Sequence, residues 1–335
     1  MRALSMLSPG NLTIIDVPEP TDGEGVLLRV EMVGLCGSDL NSYRGNNPMV
    51  TYPRIPGHEI AATVMEGGTR HAPGTKVTVS PYTHCGRCGA CRNQRFNACQ
   101  SNETFGVQRD GALVQWIRVP EEKLYTSTLL SIQELCLVEP LTVGFHGVAR
   151  GRVSEQDTVA VYGCGGVGLG AVAGAVFRGA HTIAIDQDDD KLDVARSAGA
   201  AHVINTKCCN ATKRLKEITN GRGPDVIIEA IGLPETFQAA VEQVAFTGRV
   251  VYIGYAKRPV AYETKLFVQK ELDILGSRNA LPEDFGAVIS LLESGTFPAE
   301  RAISAVVNLD DAPGSIALWA AEPSKITKIM VQVNA

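Results

Sequence analysis

Four cysteines near the end of the first third of the chain have a spacing that suits a metal ion. Cys85, Cys88, Cys91 and Cys99 give the pattern C-x2-C-x2-C-x7-C. Four thiolates complete the tetrahedral coordination of zinc and leave no position for a substrate, so the pattern predicts a structural zinc site. An iron–sulfur cluster also takes four cysteine ligands, but the short spacing favours a single ion. The surrounding lobe, residues 81–105, has few apolar residues, so bound metal would have to stabilise it.

A second set of potential ligands is scattered along the chain. Cys36 lies in GLCGSD, His58 and Glu59 lie in PRIPGHEI, and Glu139 lies in VEPL. Thiolate, imidazole and carboxylate all bind zinc, and a catalytic zinc keeps one position for water or substrate. Spacing alone does not unite these residues, since any one of them is more often structural.

A glycine-rich turn follows the strand-like segment TVAVY and opens a helix-like segment. The sequence GCGGVG contributes Gly163, Gly165, Gly166, Val167 and Gly168, which match G-x-G-x-x-G. Such a turn lets the backbone and the helix N-terminus approach a pyrophosphate, so it predicts a dinucleotide site. The alternative is a strand–helix–strand unit that binds no ligand.

The residue at the end of the next strand bears on the choice of dinucleotide. Asp186 can accept hydrogen bonds from the adenosine ribose and would repel a 2′-phosphate, which favours NAD over NADP. The alternative is a surface aspartate at a strand end. Ile231 and Gly254, which follow later predicted strands, are further candidates for cofactor contact.

The order of predicted elements indicates two domains in an α/β protein. The early segments are β-branched runs separated by glycine and proline, whereas strands and helices alternate from about residue 155. We predict a β-rich domain over residues 1–142, a doubly wound parallel sheet over 143–277, and a return to the first domain over 278–335.

Composition excludes several classes of partner. The chain has 335 residues, a formal net charge of -5 and no run of basic residues, which disfavours nucleic acid and anionic membranes. No apolar stretch is long enough to span a bilayer, and the N-terminal sequence does not resemble a secretory signal. Nine cysteines, an odd number with four clustered, suggest reduced thiols rather than disulfides. A cytoplasmic enzyme is expected.

The motifs together resemble the zinc-containing medium-chain dehydrogenases, over essentially the whole chain and in that family's order. The resemblance implies a GroES-like catalytic domain and a Rossmann domain, with a catalytic zinc in the cleft between them. By the same resemblance Cys36 and His58 are zinc ligands, whereas Glu59 is a ligand only in some members. Glu139 stands where sorbitol dehydrogenase-like members have glutamate and alcohol dehydrogenases have cysteine, which points to the polyol branch.

Within that branch the strings GSRNALPEDF and RGNNP look most like bacterial sugar-acid dehydrogenases of the L-galactonate type. Asn41 and Ser42 depart from the bulkier side chains of sorbitol dehydrogenases, which predicts a roomy, polar pocket. The resemblance gives Ser38 the role of a hydrogen-bond partner of the reacting hydroxyl, the alternative being a turn residue that bonds local backbone.

Arg278, just past a predicted strand, is our candidate for binding substrate hydroxyls or a carboxylate. Its alternative role is an ion pair with Glu59 or Glu139. The sequence thus predicts NAD, two zinc ions per chain, a small polyhydroxylated substrate oxidised at a secondary carbon, and a homodimer or homotetramer. Two other functions stay open: a dehydrogenase of smaller secondary alcohols or diols, and a catalytically silent NAD-binding relative.

Overall fold

The computed structural model describes residues 1–20, 23–66, 68–323 and 326–334. Two compact units make up the chain, residues 1–139 with 299–335, and residues 140–298. No helix among the described residues is long and apolar enough to cross a membrane.

The first unit begins with short strands and two short helices. In chain order these are β1 (Arg2–Ser8), β2 (Asn11–Asp16), β3 (Val26–Gly34), α1 (Gly37–Tyr43), β4 (Glu59–Val64), β5 (Lys76–Val79), α2 (Gly89–Arg92), β6 (Trp116–Val119) and β7 (Leu124–Thr126). Helix α3 (Ile132–Arg150) follows, and the chain passes from the first unit to the second within it.

The second unit alternates strands and helices. Its elements are β8 (Thr158–Tyr162), α4 (Gly166–Phe177), β9 (His181–Asp186), α5 (Asp189–Ser197), β10 (His202–Asn205), α6 (Ala211–Ile218), β11 (Val226–Glu229), α7 (Pro234–Gln243), β12 (Arg249–Tyr252), α8 (Lys265–Gln269), β13 (Asp273–Gly276) and α9 (Pro282–Glu293). The chain then completes the first unit with α10 (Ala299–Ala302), β14 (Ala305–Asn308), α11 (Ala312–Ala321) and β15 (Ile329–Gln332).

The first unit is built on a largely antiparallel sheet in the order β14-β15-β3-β4-β5-β7, with β6 also paired to β3. Strand β3 alternates buried and more exposed residues along its first half, as expected for a sheet with one face on a core. Leu28, Val30 and Ile60 are fully buried in that core. Strand β15 pairs with β3, with Met330 opposite Gly34, so the last part of the chain joins the first.

The second unit contains a six-stranded parallel sheet in the order β10-β9-β8-β11-β12-β13. Its central strands β8 and β11 are almost wholly buried, as expected where helices cover both faces of such a sheet. Ile183, Ile185 and Ile227 are fully buried. The predicted combination of a β-rich domain and a Rossmann-type sheet is therefore confirmed.

Two features differ from the sequence analysis. Helix α3 was not predicted, because it contains Pro140, a residue that usually ends a helix. The second crossing lies at 298/299, whereas the sequence placed it at 277/278. Helix α9 stays with the parallel sheet because its buried Asp284 is 2.9 Å from Nδ1 of His146 on α3 and also accepts the backbone N–H of Leu281 at 2.8 Å.

Candidate active site and metal centres

The four cysteines of the lobe at residues 81–105 lie close together. The sulfur atoms of Cys85, Cys88, Cys91 and Cys99 all lie within 4.8 Å of one another, with Cys88 Sγ 3.5 Å from Cys91 Sγ and 3.9 Å from Cys99 Sγ. Zinc–sulfur bonds of about 2.3 Å in a tetrahedron require sulfur separations of about 3.8 Å, so the cluster fits the ion.

The lobe also supplies hydrogen bonds to the thiolates. Backbone N–H groups of Gln100 and Cys91 lower the pKa of Cys88 to about 6, whereas burial raises the pKa of Cys91 to about 11. The backbone N–H groups of Cys85 and Ser101 both reach Cys99 Sγ at 3.3 Å. Amide hydrogens directed at sulfur are what a tetrathiolate zinc site needs from its surroundings.

A second cluster forms where β3 and β4 lie side by side. Cys36 precedes α1, His58 precedes β4, and Glu59 is the first residue of β4 and pairs with Gly34. Ligand atoms of Cys36, His58 and Glu59 lie within 4.8 Å of one another. One sulfur, one imidazole nitrogen and one carboxylate oxygen form a donor set that suits zinc. The fold thus brings together three residues whose spacing in the sequence did not indicate a common site.

Lys328, which the sequence analysis missed, pairs with the carboxylate of this cluster. Its Nζ lies 2.5 Å from each carboxylate oxygen of Glu59 and 3.2 Å from the carbonyl oxygen of Leu35. Burial opposes the charge of Lys328, but the negative charges of Glu59 and Cys36 and the hydrogen bond to Glu59 act together against it and raise the pKa of the amine. Glu59 is therefore held by an ion pair as well as lying within reach of a metal. A single lysine near the end of the chain carries no sequence signal for this role.

Asp39 was also missed, and it supports both Cys36 and His58. Its Oδ2 accepts the backbone N–H of Cys36 at 2.9 Å, and its Oδ1 lies 3.9 Å from His58 Nδ1. Burial disfavours protonated His58, but the charges of Asp39 and Cys36 raise its pKa well above the ordinary value. The surroundings of the imidazole therefore stabilise positive charge.

Glu139 lies inside α3, buried and outside the three-residue set of ligand atoms. The hydroxyl of Tyr82 donates a hydrogen bond to Glu139 Oε1. Burial raises the pKa of Glu139 to about 7, while the charge of His58 acts in the opposite direction. Glu139 is thus close enough to His58 to share its electrostatic environment, and Tyr82 orients it.

The candidate residues on α1 fall into two groups. Ser38 Oγ lies 3.4 Å from His58 Nε2, beside the metal-ligand cluster. Ser42, in contrast, is buried, with its hydroxyl donating to the Ser38 carbonyl at 2.9 Å and accepting from the Asn47 amide at 3.0 Å. Ser42 therefore supports α1 from within and adds no free polar group to a pocket.

In the second unit the glycine-rich turn has the predicted conformation. Gly163 has φ +94°, and a Cβ added at Gly168 would overlap its carbonyl oxygen, so both positions require glycine. Gly165 caps the N-terminus of α4, with Gly166 and Val167 as the first helical residues. This geometry leaves the helix N-terminus open to a phosphate.

Asp186 binds the glycine-rich turn directly. Its Oδ2 accepts the backbone N–H of Cys164 at 2.7 Å, and its Oδ1 accepts those of Gln187 at 2.7 Å and Asp188 at 3.1 Å. The carboxylate predicted to contact ribose therefore also fixes the turn predicted to contact pyrophosphate.

Glu229, at the end of β11, positions the two remaining cofactor candidates. Its Oε1 accepts the N–H groups of Ile231 at 2.9 Å and Gly232 at 2.8 Å, and burial raises its pKa. A side chain at Gly254 would come within 2.5 Å of Glu229 Oε2. Glu229 was not predicted as a functional residue, because it lies within a buried strand.

Arg278 is partly buried in the segment between β13 and α9. The alternative that it neutralises Glu59 is weakened because Lys328 already forms that ion pair.

Family models and similar proteins agree with this architecture. Residues 22–128 match the alcohol dehydrogenase GroES-like domain, and residues 166–294 match the zinc-binding dehydrogenase model. The chain is 35% identical to a zinc-type alcohol dehydrogenase-like protein of Haemophilus influenzae over 98% of both chains. It is 32% identical to sorbitol dehydrogenase of Bacillus subtilis, covering 100% of this chain and 98% of the relative. L-Galactonate-5-dehydrogenase of Escherichia coli is 30% identical over 86% of each chain.

Solved structures give the same result. An alcohol dehydrogenase from E. coli in complex with NADH has a TM-score of 0.90 and 29% identity, covering 99% of both chains. A zinc-binding dehydrogenase from Sinorhizobium meliloti bound to NADP has a TM-score of 0.91 and 29% identity, covering 99% of this chain and 98% of that one. This chain belongs to the zinc-type medium-chain dehydrogenase family, and it is an oxidoreductase of the alcohol and polyol dehydrogenase type.

Proposed function

We propose that this enzyme oxidises a secondary hydroxyl of a sugar acid or polyol and transfers the hydride to NAD. The convergence of Cys36, His58 and Glu59 within 4.8 Å carries the proposal, because this donor set suits a catalytic rather than a purely structural zinc. Relatives named for sorbitol and L-galactonate support the substrate class.

The proposed chemistry assigns a role to each group. Zinc held by Cys36 and His58, with Glu59 or Glu139, would supply the Lewis acidity that makes the substrate hydroxyl acidic. Ser38, 3.4 Å from His58 Nε2, would orient that hydroxyl and pass its proton toward solvent. Asp39 and Lys328 hold His58 and Glu59 in place. NAD would accept the hydride.

Cofactor identity and stoichiometry are further parts of the proposal. Asp186 favours NAD, since its charge would repel the 2′-phosphate of NADP. Two groups of ligand atoms support two zinc ions per chain, one structural and one catalytic. Elemental analysis finding a single zinc, or iron in the four-cysteine site, would contradict this count.

The direct test is a screen of sugar acids, polyols and simple alcohols with zinc-loaded enzyme, measuring NADH absorbance. We expect a polyhydroxylated compound to give the highest kcat/KM. The Ser42 hydroxyl is bonded to the Ser38 carbonyl and the Asn47 amide rather than offered to a substrate, which supports one second candidate, a diol or secondary-alcohol dehydrogenase. Higher kcat/KM for 2-propanol or butanediol would establish that candidate, and no turnover of any alcohol would refute both.

Assembly into dimers is also proposed. Strand β13 is the edge of the parallel sheet and has exposed apolar surface at Ile274, 41% exposed. Exposed edge strands pair readily with a second copy. Sedimentation that shows a monomer at micromolar concentration would refute this proposal.

A further inference from the structure

Arg109 carries an unusual combination of burial and missing partners. Its guanidinium lies flat over the ring of Phe105, 3.9 Å from the ring centroid, and its Nε is buried without a hydrogen-bond partner. No hydrogen bond or ion pair joins its side chain to any other residue in the part of the chain that the structure describes. Burial of the Nε–H without an acceptor is unfavourable, because this donor has lost its hydrogen bond to water and gained none in return.

The acids closest to Arg109 do not satisfy it. Asp110, its neighbour in sequence, accepts from Arg54 Nη1 at 3.0 Å and from the Ile55 N–H at 3.1 Å. Glu103 acts on Arg109 only through its charge, without an ion pair, and burial lowers the pKa of the guanidinium. The fold therefore holds a partly desolvated cation whose charge no contact neutralises.

A second cation lies in the same neighbourhood. The backbone carbonyl of Lys123 accepts the Ser80 N–H at 2.8 Å. The carbonyl of Pro81, the residue after Ser80, accepts the Phe105 N–H at 3.2 Å. Burial lowers the pKa of Lys123, and the charge of Arg109 lowers it further, although Glu122 opposes the effect. A cation whose charge is disfavoured by a neighbouring cation would be stabilised by an anion bound beside it.

The segment that carries Arg109 packs against Gly57, the residue before His58. A Cβ added at Gly106 would lie 2.6 Å from the backbone N of Gly57, the residue before His58, and the Ala112 N–H donates to the Gly57 carbonyl at 2.9 Å. Arg109 thus extends from a segment in direct backbone contact with the loop that carries a zinc ligand. An anionic group at one end of a substrate could bind here while the other end lies at the ligands.

We propose that Arg109, supported by Lys123, binds the anionic group of the substrate, a carboxylate or a phosphate monoester. This inference rests on the proposed function and deepens it, since it selects acidic over neutral polyols. The N–H edge of the guanidinium can bind either group through two parallel N–H···O bonds, while Phe105 packs against its face. The proposal assigns acid binding to Arg109 in the first unit, whereas the sequence predicted Arg278 in the second unit.

The test compares three compounds that share a six-carbon polyol chain: sorbitol, gluconate and sorbitol 6-phosphate. Zinc-loaded enzyme with NADH bound is titrated with each compound by calorimetry, and oxidation is followed separately with NAD. Arg109→Met keeps the aliphatic stem on Phe105, Arg109→Lys keeps the charge, and the exposed Arg70→Met is the matched control. Thermal melting checks that each variant is folded.

We expect wild-type enzyme to bind one of the two anions at least about tenfold more tightly than sorbitol, since hydrogen bonds to charged groups are strong. Arg109→Met should abolish that preference, Arg109→Lys should keep part of it, and Arg70→Met should keep all of it. The preferred anion distinguishes carboxylate from phosphate. Equal losses for sorbitol and the anions in Arg109→Met, or no preference in the wild type, would overturn the inference. Absence of turnover with intact anion binding would instead refute the proposed function.

Discussion

At the scale of single residues, Lys328 and Glu59 form a buried ion pair. Both oxygens of Glu59 lie 2.5 Å from the amine, and a side chain at Gly34 would overlap that carboxylate. Buried charges of this kind need their partner, because removing one leaves the other desolvated.

Lys328→Met should lower the free energy of unfolding by about 3 kcal/mol, because it leaves Glu59 buried without its cation. Thermal and urea unfolding of zinc-loaded protein would measure the change. The double variant Lys328→Met, Glu59→Gln should recover part of the loss, since no unpaired charge remains. Equal stability of wild type and the single variant would show that the ion pair is not needed.

Asp186→Ser should weaken the binding of both NADH and NADPH, with NADH affected more, by roughly tenfold. The variant removes the carboxylate that accepts the Cys164 N–H, so the glycine-rich turn loses a support as well as its ribose partner. Fluorescence titration with both cofactors measures the two dissociation constants. Asp190→Ser, on the exposed start of α5, is the control. Tighter NADPH binding than NADH binding in the wild type would contradict the assignment.

Glu121 gives a prediction for acid stability. Backbone N–H groups of Arg70 and Thr69 bind its carboxylate and lower its pKa to about 2, against an ordinary value of 4.5. A depressed folded-state pKa stabilises the protein above pH 4.5, and that contribution is lost as pH falls toward 2. Glu121→Gln should therefore be less stable than wild type at neutral pH, with the difference shrinking in this acid range. Denaturant unfolding at several pH values tests this, and a difference independent of pH would contradict it.

At the scale of elements, the four-cysteine lobe and α3 show which features can be predicted from the sequence and which cannot. The C-x2-C-x2-C-x7-C spacing is local, so it predicted a cluster that the structure brings together. Helix α3 was missed because Pro140 lies in its middle. Proline is best tolerated in the first turn of a helix, so an internal proline usually indicates that a helix has ended. Asp39 and Tyr82 were missed for a different reason. Tyr82 donates to Glu139, which is distant in the sequence, and Asp39 accepts from Cys36 in the turn before α1.

The lobe should depend on its metal. Cys88→Ser should reduce zinc by one ion per chain and lower the free energy of unfolding by about 4 kcal/mol or more, since little else holds residues 81–105. Cys36→Ser should remove activity with a much smaller effect on stability. Elemental analysis and thermal unfolding measure both, with the exposed Cys208→Ser as control. Equal stability of Cys88→Ser and wild type would show that the lobe folds without its metal.

At the scale of the whole molecule, the two classes of unit were predictable and their extent was not. Alternating strands and helices indicated the parallel sheet, because that pattern is carried by contiguous segments. The end of the second unit depends on the contact between His146 and Asp284, which are far apart in the sequence. A similar long-range relation, the pairing of β15 with β3, brings Lys328 to Glu59.

That pairing sets an order of events during synthesis. Cys36, His58 and Glu59 leave the ribosome well before Lys328, which follows Glu59 by 269 residues. Domains tend to fold from the N-terminus as translation proceeds. The nascent chain therefore holds the Glu59 carboxylate without its lysine until residue 328 has been made. A cation that reached Cys36, His58 and Glu59 before then would meet a more negative site than the one in the folded protein, where Lys328 is paired with Glu59.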